Sequence, residues 1–206
     1  MTRLVALCTL ILISACSTTS QTTSGGDWLA ARSAVVDPEI AAAAAVEPDL
    51  RLPARIGVAR VVNGQITAIP ADEIALMSGI NSAGARFGSF TAVSPMIAQT
   101  IETDGRPDAL RLARLTAARQ HLDYVLVYDL SAQGRGIGAT GMAQAILLDV
   151  RNGYPYGTAT ASAQNVRTMR TRGYYGARGL SDESARRVTR ALVPEVRAML
   201  TALADS

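Results

Sequence analysis

The sequence contains no lysine, one histidine and two cysteines, and each scarcity removes a class of function. Because all 20 basic residues are arginine, the chain has no Schiff-base lysine and no P-loop lysine for phosphate. Cys8 and Cys16 both lie near the N-terminus, so a disulfide-framed fold and a cysteine-based zinc site are excluded. The formal net charge of +3 is too small to indicate a nucleic-acid partner.

Aromatic residues are also scarce, at 4% of the chain, and charged residues make up only 18%. Apolar residues nevertheless reach 49% of the 206 residues, which is enough for one domain of ordinary size. The core of that domain must therefore be built from Ala, Val, Leu and Ile. The sequence indicates no metal site, no cofactor and no small-molecule substrate.

The N-terminus has the features of a bacterial lipoprotein signal peptide in their usual order. Arg3 precedes an apolar run at residues 4–13, about half the length that a membrane span requires. The sequence ISAC, which ends at Cys16, then resembles a lipobox, in which small residues admit the protease and the cysteine thiol takes a diacylglyceryl group. The resemblance implies lipidation of Cys16. The alternative is an ordinary secretory signal with a chance cysteine.

Two or three acyl chains on Cys16 would hold the protein firmly on a bilayer, because each buried methylene contributes about 0.8 kcal/mol. Ser17, rather than aspartate, follows this cysteine. In the enterobacterial sorting pattern that the lipobox implies, a residue other than aspartate favours the outer membrane. We therefore expect a lipid-anchored protein of the outer membrane that faces the periplasm.

Composition divides the chain into four segments. Residues 1–15 are the predicted lipoprotein signal peptide, and residues 16–26 are a polar tether without apolar periodicity. Residues 27–52 form an Ala-rich lead-in segment, and residues 53–206 form the predicted periplasmic domain. From Cys16 onward 19 arginines face 17 acidic residues, so the processed chain is almost neutral.

Hydrophobic patterning within residues 53–206 predicts an α/β (mixed α+β) fold in the order β-α-β-α-β-β-β-α, with one mixed sheet and helices packed on it. Strands are predicted at 55–62, 87–93, 124–130, 142–150 and 156–164, with a short return strand at 65–69. Helices are predicted at 71–86, 108–122 and 181–204. Residues 131–141 and 167–179 are predicted to be connections.

Three sequence stretches carry a resemblance to a group of periplasmic bacterial domains: RIGVARV at 55–61, RLARLTAARQHLDYVLVYDL at 111–130 and AILLDVRNGYPYGTATASA at 145–163. The group includes the curli-secretion lipoprotein (CsgG-like), the penicillin-binding-protein activator lipoproteins (LpoB-like) and the N-terminal domain of TolB. The resemblance covers residues 53–204 and implies an accessory domain that binds a protein partner. A pore-forming role is not expected, because the two connections are too short and polar to supply barrel strands.

The most distinctive candidate for a binding surface is the segment 167–178, which has no acidic residue. Its arginines and tyrosines are of the types that concentrate at binding hot spots. The six candidate residues are Arg167, Arg170, Arg172, Tyr174, Tyr175 and Arg178. Suitable partners are an acidic protein face, lipid headgroups or anionic cell-wall polymers. The alternative is a solvated loop paired with acids such as Asp182 and Glu183.

Catalytic constellations are not indicated. His121, next to Asp123 at the end of a predicted helix, can be drawn as a general base oriented by an acid, but a helix-terminal histidine is the simpler interpretation. The glycines of 134–138 precede a predicted strand, whereas a phosphate loop requires a helix. The acidic pairs formed by Glu102 or Asp108 with Asp104 lie in or beside a turn-rich loop.

These observations together predict a non-catalytic outer-membrane lipoprotein whose periplasmic domain binds envelope protein partners in an accessory or assembly role. Two alternatives stay open at this point. The first alternative is a structural subunit that self-associates in an envelope or secretion assembly. The second is an envelope hydrolase whose site the sequence does not reveal.

Overall fold

The computed structural model describes residues 49–62, 64–81, 86–101, 108–134, 137–170 and 178–206, together with a two-residue strand at Thr23–Ser24. The predicted signal peptide and the predicted lipidation residue Cys16 lie outside the described residues. Most of the predicted tether and lead-in segment also lies outside them. The predicted domain, by contrast, can be followed over most of its length.

Eight strands and four α-helices make up the described part of the chain. The strands are β1 (Thr23–Ser24), β2 (Ala54–Val62), β3 (Gln65–Thr67), β4 (Gly88–Ala92), β5 (Tyr124–Gln133), β6 (Ile137–Asp149), β7 (Pro155–Arg170) and β8 (Arg178–Leu180). The helices are α1 (Ala71–Ser78), α2 (Pro95–Gln99), α3 (Ala109–Arg119) and α4 (Asp182–Asp205). A 3₁₀ turn at Gly79–Asn81 follows α1.

The strands form one mixed sheet, which confirms the predicted fold class. Their order is β1-β7-β6-β5-β2, and the far edge of β2 is shared by β4 and β3. β2 runs parallel to β4 and β5, whereas the pairs β5–β6 and β6–β7 are antiparallel. The parallel pairs require crossover connections, and α1, α2 and α3 lie in them.

Helix α4 packs on one face of the sheet over a floor of small residues. A Cβ atom at Gly141 of β6 would lie 2.5 Å from Val188 Cγ2, and one at Gly157 of β7 would lie 3.0 Å from Met199 Cγ. The floor also contains the buried residues Ala143, Ala145, Ala159 and Ala161. The scarcity of aromatic residues is thus compatible with a dense core, because the helix backbone can approach the strands closely.

Helices α2 and α3 cover the opposite face only in part. Val125 and Val127 of β5 and Leu148 of β6 are buried on this side together with Ala113 of α3. Further along β5 the side chains on the same face become exposed, beginning at Asp129. About half of this face of β5, β6 and β7 is therefore open among the described residues.

Two of the predicted helices begin one residue after their predicted starts, and a side chain caps each of them. Asp108 Oδ1 accepts the Leu110 N–H at the start of α3, and Ser181 Oγ accepts the Ser184 N–H at the start of α4. The helix predicted at 71–86 is too long, since α1 ends at Ser78 and Gly79 begins a 3₁₀ turn. A fourth helix, α2, was not predicted, although Ser94 caps it and Pro95 is its first residue.

The two predicted connections are wrong at their ends, because the strands on either side are longer than their local sequence suggests. In the first predicted connection, 131–141, the residues up to Gln133 belong to β5 and those from Ile137 belong to β6. The two strands are paired as far as Gln133, which lies opposite Thr140. In the second predicted connection, 167–179, the residues up to Arg170 belong to β7 and those from Arg178 belong to β8. Cross-strand pairing stabilises these polar and Gly-containing ends, which have no hydrophobic alternation of their own.

Candidate functional site

The structure places the ends of the predicted Arg/Tyr segment on a pair of antiparallel strands. Arg170 ends β7 opposite Arg178, which begins β8, so these two residues lie side by side. The side chain of Arg167 is exposed. Arg172, Tyr174 and Tyr175 lie outside the described residues.

The same end of β7 is fastened to the first turn of α4. The Arg167 N–H donates to Ser184 Oγ over 2.8 Å, and the Ser181 N–H donates to the Arg167 carbonyl over 3.0 Å. Arg187 Nη1 donates to the Asn165 carbonyl over 3.3 Å, at a bulge where Asn165 has a φ of +56°. Asparagine tolerates this left-handed conformation better than most residues. Arg167 is thereby held beside the arginine-rich start of α4.

A groove of about 580 Å³ runs between α1 and the first half of α4. We call it the basic groove, and its lining residues are Asp72, Ala75 and Leu76 of α1 and Glu183, Arg186, Arg187 and Arg190 of α4. Arg186 Nη1 lies 3.2 Å from Asp72 Oδ2, and Arg187 Nη2 lies 3.8 Å from Glu183 Oε1. Arg190 is exposed and makes no ion pair with any described residue. Among the described residues, one positive charge in the groove is therefore unmatched.

A buried polar cluster fixes α1 beneath this groove. The Tyr128 hydroxyl donates to Glu73 Oε2 over 2.7 Å, and Arg60 Nε lies 3.6 Å from the same oxygen. Arg60 and Tyr128 are direct neighbours across β2 and β5, and Glu73 is only 1% exposed. Burial raises the pKa of Tyr128, and the nearby Glu73 carboxylate raises it further, so the tyrosine keeps the proton that it donates.

The open face of the sheet is a second candidate surface. Its exposed residues are mostly uncharged and polar, and they lie on β5, β6 and β7 in register. They are Asp129, Ser131, Gln133, Met142, Gln144 and Gln164. Met142 is the one large apolar side chain among these six, and it is 47% exposed. A surface of this kind suits contact with another protein, and Asp129 is the one charged side chain among these six residues.

The outer edge of β7 is a third candidate. On the side away from β6, β7 pairs with β1 at Gly157 and Thr158. From residue 159 to residue 167 the structure describes no strand on that side. Residues 156–166 contain no charged side chain. Charges, prolines and bulges are what commonly protect an edge strand from pairing with another chain, and this edge has only the bulge at Asn165.

The candidate general base His121 lies just beyond α3, where it is exposed and has a φ of +57°. Its N–H donates to the Ala118 carbonyl over 3.0 Å, as expected for a residue that ends a helix. Asp123 pairs with Arg55, which donates to both of its carboxylate oxygens. This hydrogen bonding lowers the pKa of Asp123. The geometry therefore favours the interpretation of His121 as a helix end.

The remaining catalytic candidates have structural roles or fall outside the described residues. Asp108 caps α3, and Glu102 and Asp104 lie outside the described residues. Gly134 and Gly138 have positive φ angles next to the ends of β5 and β6, so the glycine-rich segment joins two strands. Within the described ranges, no three Asp, Glu, His or Cys side chains form a group that could hold a metal ion.

Sequence reasoning missed the basic groove and the role of Glu73. The signal for the groove was the arginine-rich side of the predicted helix 181–204, but its partner helix could not be inferred from local patterning. Glu73 lies in the first turn of its helix, where acidic side chains commonly face solvent near the helix dipole, but it turns inward to Tyr128. No described helix has the length and apolar character needed to cross a bilayer.

No protein-family model and no curated protein matches the chain in sequence. Its fold is similar to that of PelC from Paraburkholderia phytofirmans, solved as a dodecamer, with 16% identity and a TM-score of 0.44 over 89% of this chain and 96% of that one. It is similar to the LpoB C-terminal domain from Salmonella enterica, with 19% identity and a TM-score of 0.34 over 53% of this chain and 82% of that one.

A third similar structure is lipoprotein GNA1162 from Neisseria meningitidis, with 19% identity and a TM-score of 0.32 over 75% of this chain and 100% of that one. The chain is thus similar to LpoB, a representative of one group that the sequence resembles, and to a second lipoprotein. At these identities and TM-scores the likenesses decide neither function nor assembly. The resemblance to the curli-secretion lipoprotein and to TolB stays a prediction.

Proposed function

We propose that this protein is an outer-membrane lipoprotein, anchored through Cys16, whose periplasmic domain binds another envelope protein without catalysis. The observation that carries the proposal is the gathering of arginines at one end of the domain. Arg167, held by Ser184 at the end of β7, lies next to the basic groove of α4. Arginine forks bind carboxylates through two parallel hydrogen bonds, so this end suits an acidic protein surface.

The anchor is supported by the lipobox-like sequence ISAC before the polar segment. Only seven residue steps separate Cys16 from Thr23, where the chain already pairs with Thr158 of β7. Seven steps span at most about 25 Å even when fully extended. A lipid at Cys16 would therefore hold the edge of β7 close to the membrane surface.

The proposal is tested by crosslinking in intact cells, followed by purification under denaturing conditions. Replacing Arg167, Arg170, Arg172 and Arg178 by Ala should leave folding almost unchanged, because the sequence predicts a surface segment here and charges in solvent contribute about 0 to 1 kcal/mol each. Adducts with other proteins should fall sharply and become less sensitive to salt. The matched control replaces Arg111 and Arg151, two exposed arginines elsewhere on the domain, by Ala. Equal adduct levels in all three proteins would count against the proposal.

A specific observation also favours the second candidate function, that of a subunit in an assembly of several copies. The edge of β7 carries no charged side chain from residue 159 to residue 166. Two identical uncharged edges can pair without electrostatic repulsion. Light scattering of the detergent-solubilised protein distinguishes a monomer from an assembly. A charged residue on this edge, as in Ser162→Arg, should dissociate an assembly that forms through β7.

A further inference from the structure

We infer that the basic groove between α1 and α4 is the docking site for an acidic segment of a partner protein, and that Arg190 is its main contact. This inference rests on the proposed function, because it assigns the partner-binding role to one groove and one chemical class of partner. It goes further by including residues outside the segment 167–178.

The charges in the groove leave one strong site for an anion. Arg186 is paired with Asp72, and Arg187 is paired with Glu183 and with the Asn165 carbonyl. Arg190 lies four residues after Arg186 and three after Arg187, and therefore on the same side of α4. It is exposed and has no ion pair with a described residue. Its guanidinium can bind a carboxylate of the partner through two hydrogen bonds.

Apart from Asp72, which is paired with Arg186, the opposite wall of the groove is apolar. Ala75 is exposed there, and Leu76 is half-buried. A segment that enters the groove therefore meets cationic forks on the α4 side and aliphatic surface on the α1 side. The complementary segment carries carboxylates on one side and an aliphatic side chain on the other, which is the pattern of an acidic amphipathic peptide.

The groove fits a protein segment better than it fits an anionic membrane. It is concave, and its volume of about 580 Å³ lies in the range typical of binding pockets. Asp72 and Glu183 also lie in its lining. A membrane would present only anionic headgroups, which these carboxylates repel, whereas a protein segment can also place a donor next to them.

The helices that form both walls are fastened to the core, so binding does not require the ordering of a loop. α1 is fixed by the contact of Glu73 with Tyr128 and Arg60 in the core. α4 is fixed by its close packing over Gly141 and Gly157. A preorganised groove loses less conformational entropy on binding than a flexible loop does.

The test places a photo-crosslinking benzophenone residue at position 76 of the full-length protein in living cells. The matched control places the same residue at position 115, where Leu115 of α3 is 37% exposed on the opposite side of the sheet. We expect position 76, and not position 115, to label a protein segment that contains at least two Asp or Glu residues. Arg190→Glu should reduce the adduct about tenfold or more, the effect of a charge-assisted hydrogen bond worth roughly 1.5–3 kcal/mol.

Arg111→Glu, which reverses an exposed arginine on α3, should leave the adduct at the wild-type level. Exchanging the labelled carboxylates of the partner for arginine should restore the adduct with the Arg190→Glu protein. Adducts with phospholipid, adducts with a second copy of this chain, or adducts that persist in Arg190→Glu would each overturn the inference.

A parallel label at position 178 separates failure of the groove from failure of the proposed function. If position 178 labels a partner protein and position 76 labels none, the groove assignment is wrong and the proposed function stands. If neither position labels a protein, both are wrong. Circular dichroism of each purified variant verifies that the fold is retained, and a variant that does not fold is replaced by Arg190→Gln.

Discussion

Tyr128 donates its hydroxyl proton to a Glu73 oxygen that also lies 3.6 Å from Arg60 Nε, so one buried carboxylate joins α1 to two neighbouring strands. Buried carboxylates are costly unless they are paired and hydrogen-bonded. Glu73 satisfies this condition through a tyrosine whose raised pKa keeps it protonated, and through an arginine. The basic groove lies on the outer side of the same helix, so the core contact and the candidate binding surface are connected through α1.

The first prediction concerns this contact. Glu73→Leu should lower the free energy of unfolding by about 3–5 kcal/mol, because it leaves the partly buried Arg60 without its counter-charge. Tyr128→Phe should lower it by about 1–3 kcal/mol, the cost of leaving a buried acceptor without its donor. Urea titration monitored by circular dichroism measures both changes. The control is Asp72→Asn, a substitution at the exposed residue that precedes Glu73. It should change the free energy of unfolding by at most about 1 kcal/mol.

The sequence predicts the centre of this fold well because the central strands obey local patterning. Residues 124–128 are five consecutive buried residues in the middle of the sheet, as a continuous apolar run indicates. The alternation of small and polar residues in β7 likewise predicts a strand with one covered and one open face. Asp108 and Ser181 give the starts of two helices through a hydrogen bond that spans two or three residues.

Local sequence patterning does not predict structural features that depend on residues far apart in the sequence. The ends of β5 and β7 are polar, and their strand conformation comes from pairing with β6 and β8. Glu73 resembles an ordinary acid in the first turn of a helix until Tyr128, 55 residues later, is placed beneath it. The basic groove needs α1 and α4 side by side, and 114 residues separate Asp72 from its partner Arg186.

The second prediction concerns the close approach of α4 to the sheet. Gly141→Ala should lower the free energy of unfolding by about 1–3 kcal/mol, because the new Cβ would lie 2.5 Å from Val188 Cγ2 in a packed core. The matched control is Gly79→Ala, where no atom lies within 4 Å of the new Cβ and the backbone is helical. That change should be neutral or stabilise by up to about 1 kcal/mol. Equal effects at the two glycines would contradict the packing argument.

The third prediction concerns His121, which holds a left-handed conformation at the end of α3. His121→Gly should raise the free energy of unfolding by about 0.5–1 kcal/mol, since glycine adopts this conformation without a Cβ clash. His121→Ala should leave stability similar to that of the wild type and should leave partner binding intact. If His121→Ala instead abolished cellular function while the protein stayed folded, the proposal of a non-catalytic role would be wrong.

The fourth prediction is a pH dependence from the pair of Arg55 and Asp123. The pKa of Asp123 is lower in the folded state than in the unfolded state, mainly because Arg55 donates hydrogen bonds to the carboxylate. The contribution of the pair is therefore complete above the unfolded-state pKa, near pH 4, and is lost as the pH falls through the lower folded-state pKa. Urea midpoints measured between pH 6 and pH 2.5 should fall less steeply for Asp123→Asn than for the wild type. The same slope in both proteins would show that this pair contributes nothing to the acid sensitivity.

The last prediction concerns the anchor. If Cys16 is the lipidated first residue of the processed protein, mass spectrometry of the mature N-terminus should find a diacylglyceryl group on its sulfur. Cys16→Ser removes the thiol that accepts the lipid, and the variant should accumulate as an unprocessed precursor or as a soluble periplasmic form. Cys8→Ser is the control, because Cys8 lies inside the apolar run of the signal peptide and should be removed with it. That variant should fractionate with the outer membrane as the wild type does. An unmodified Cys16 in the processed chain, or cleavage at another bond, would show that the anchor assignment is wrong and that the short link to β1 does not hold the domain at a membrane.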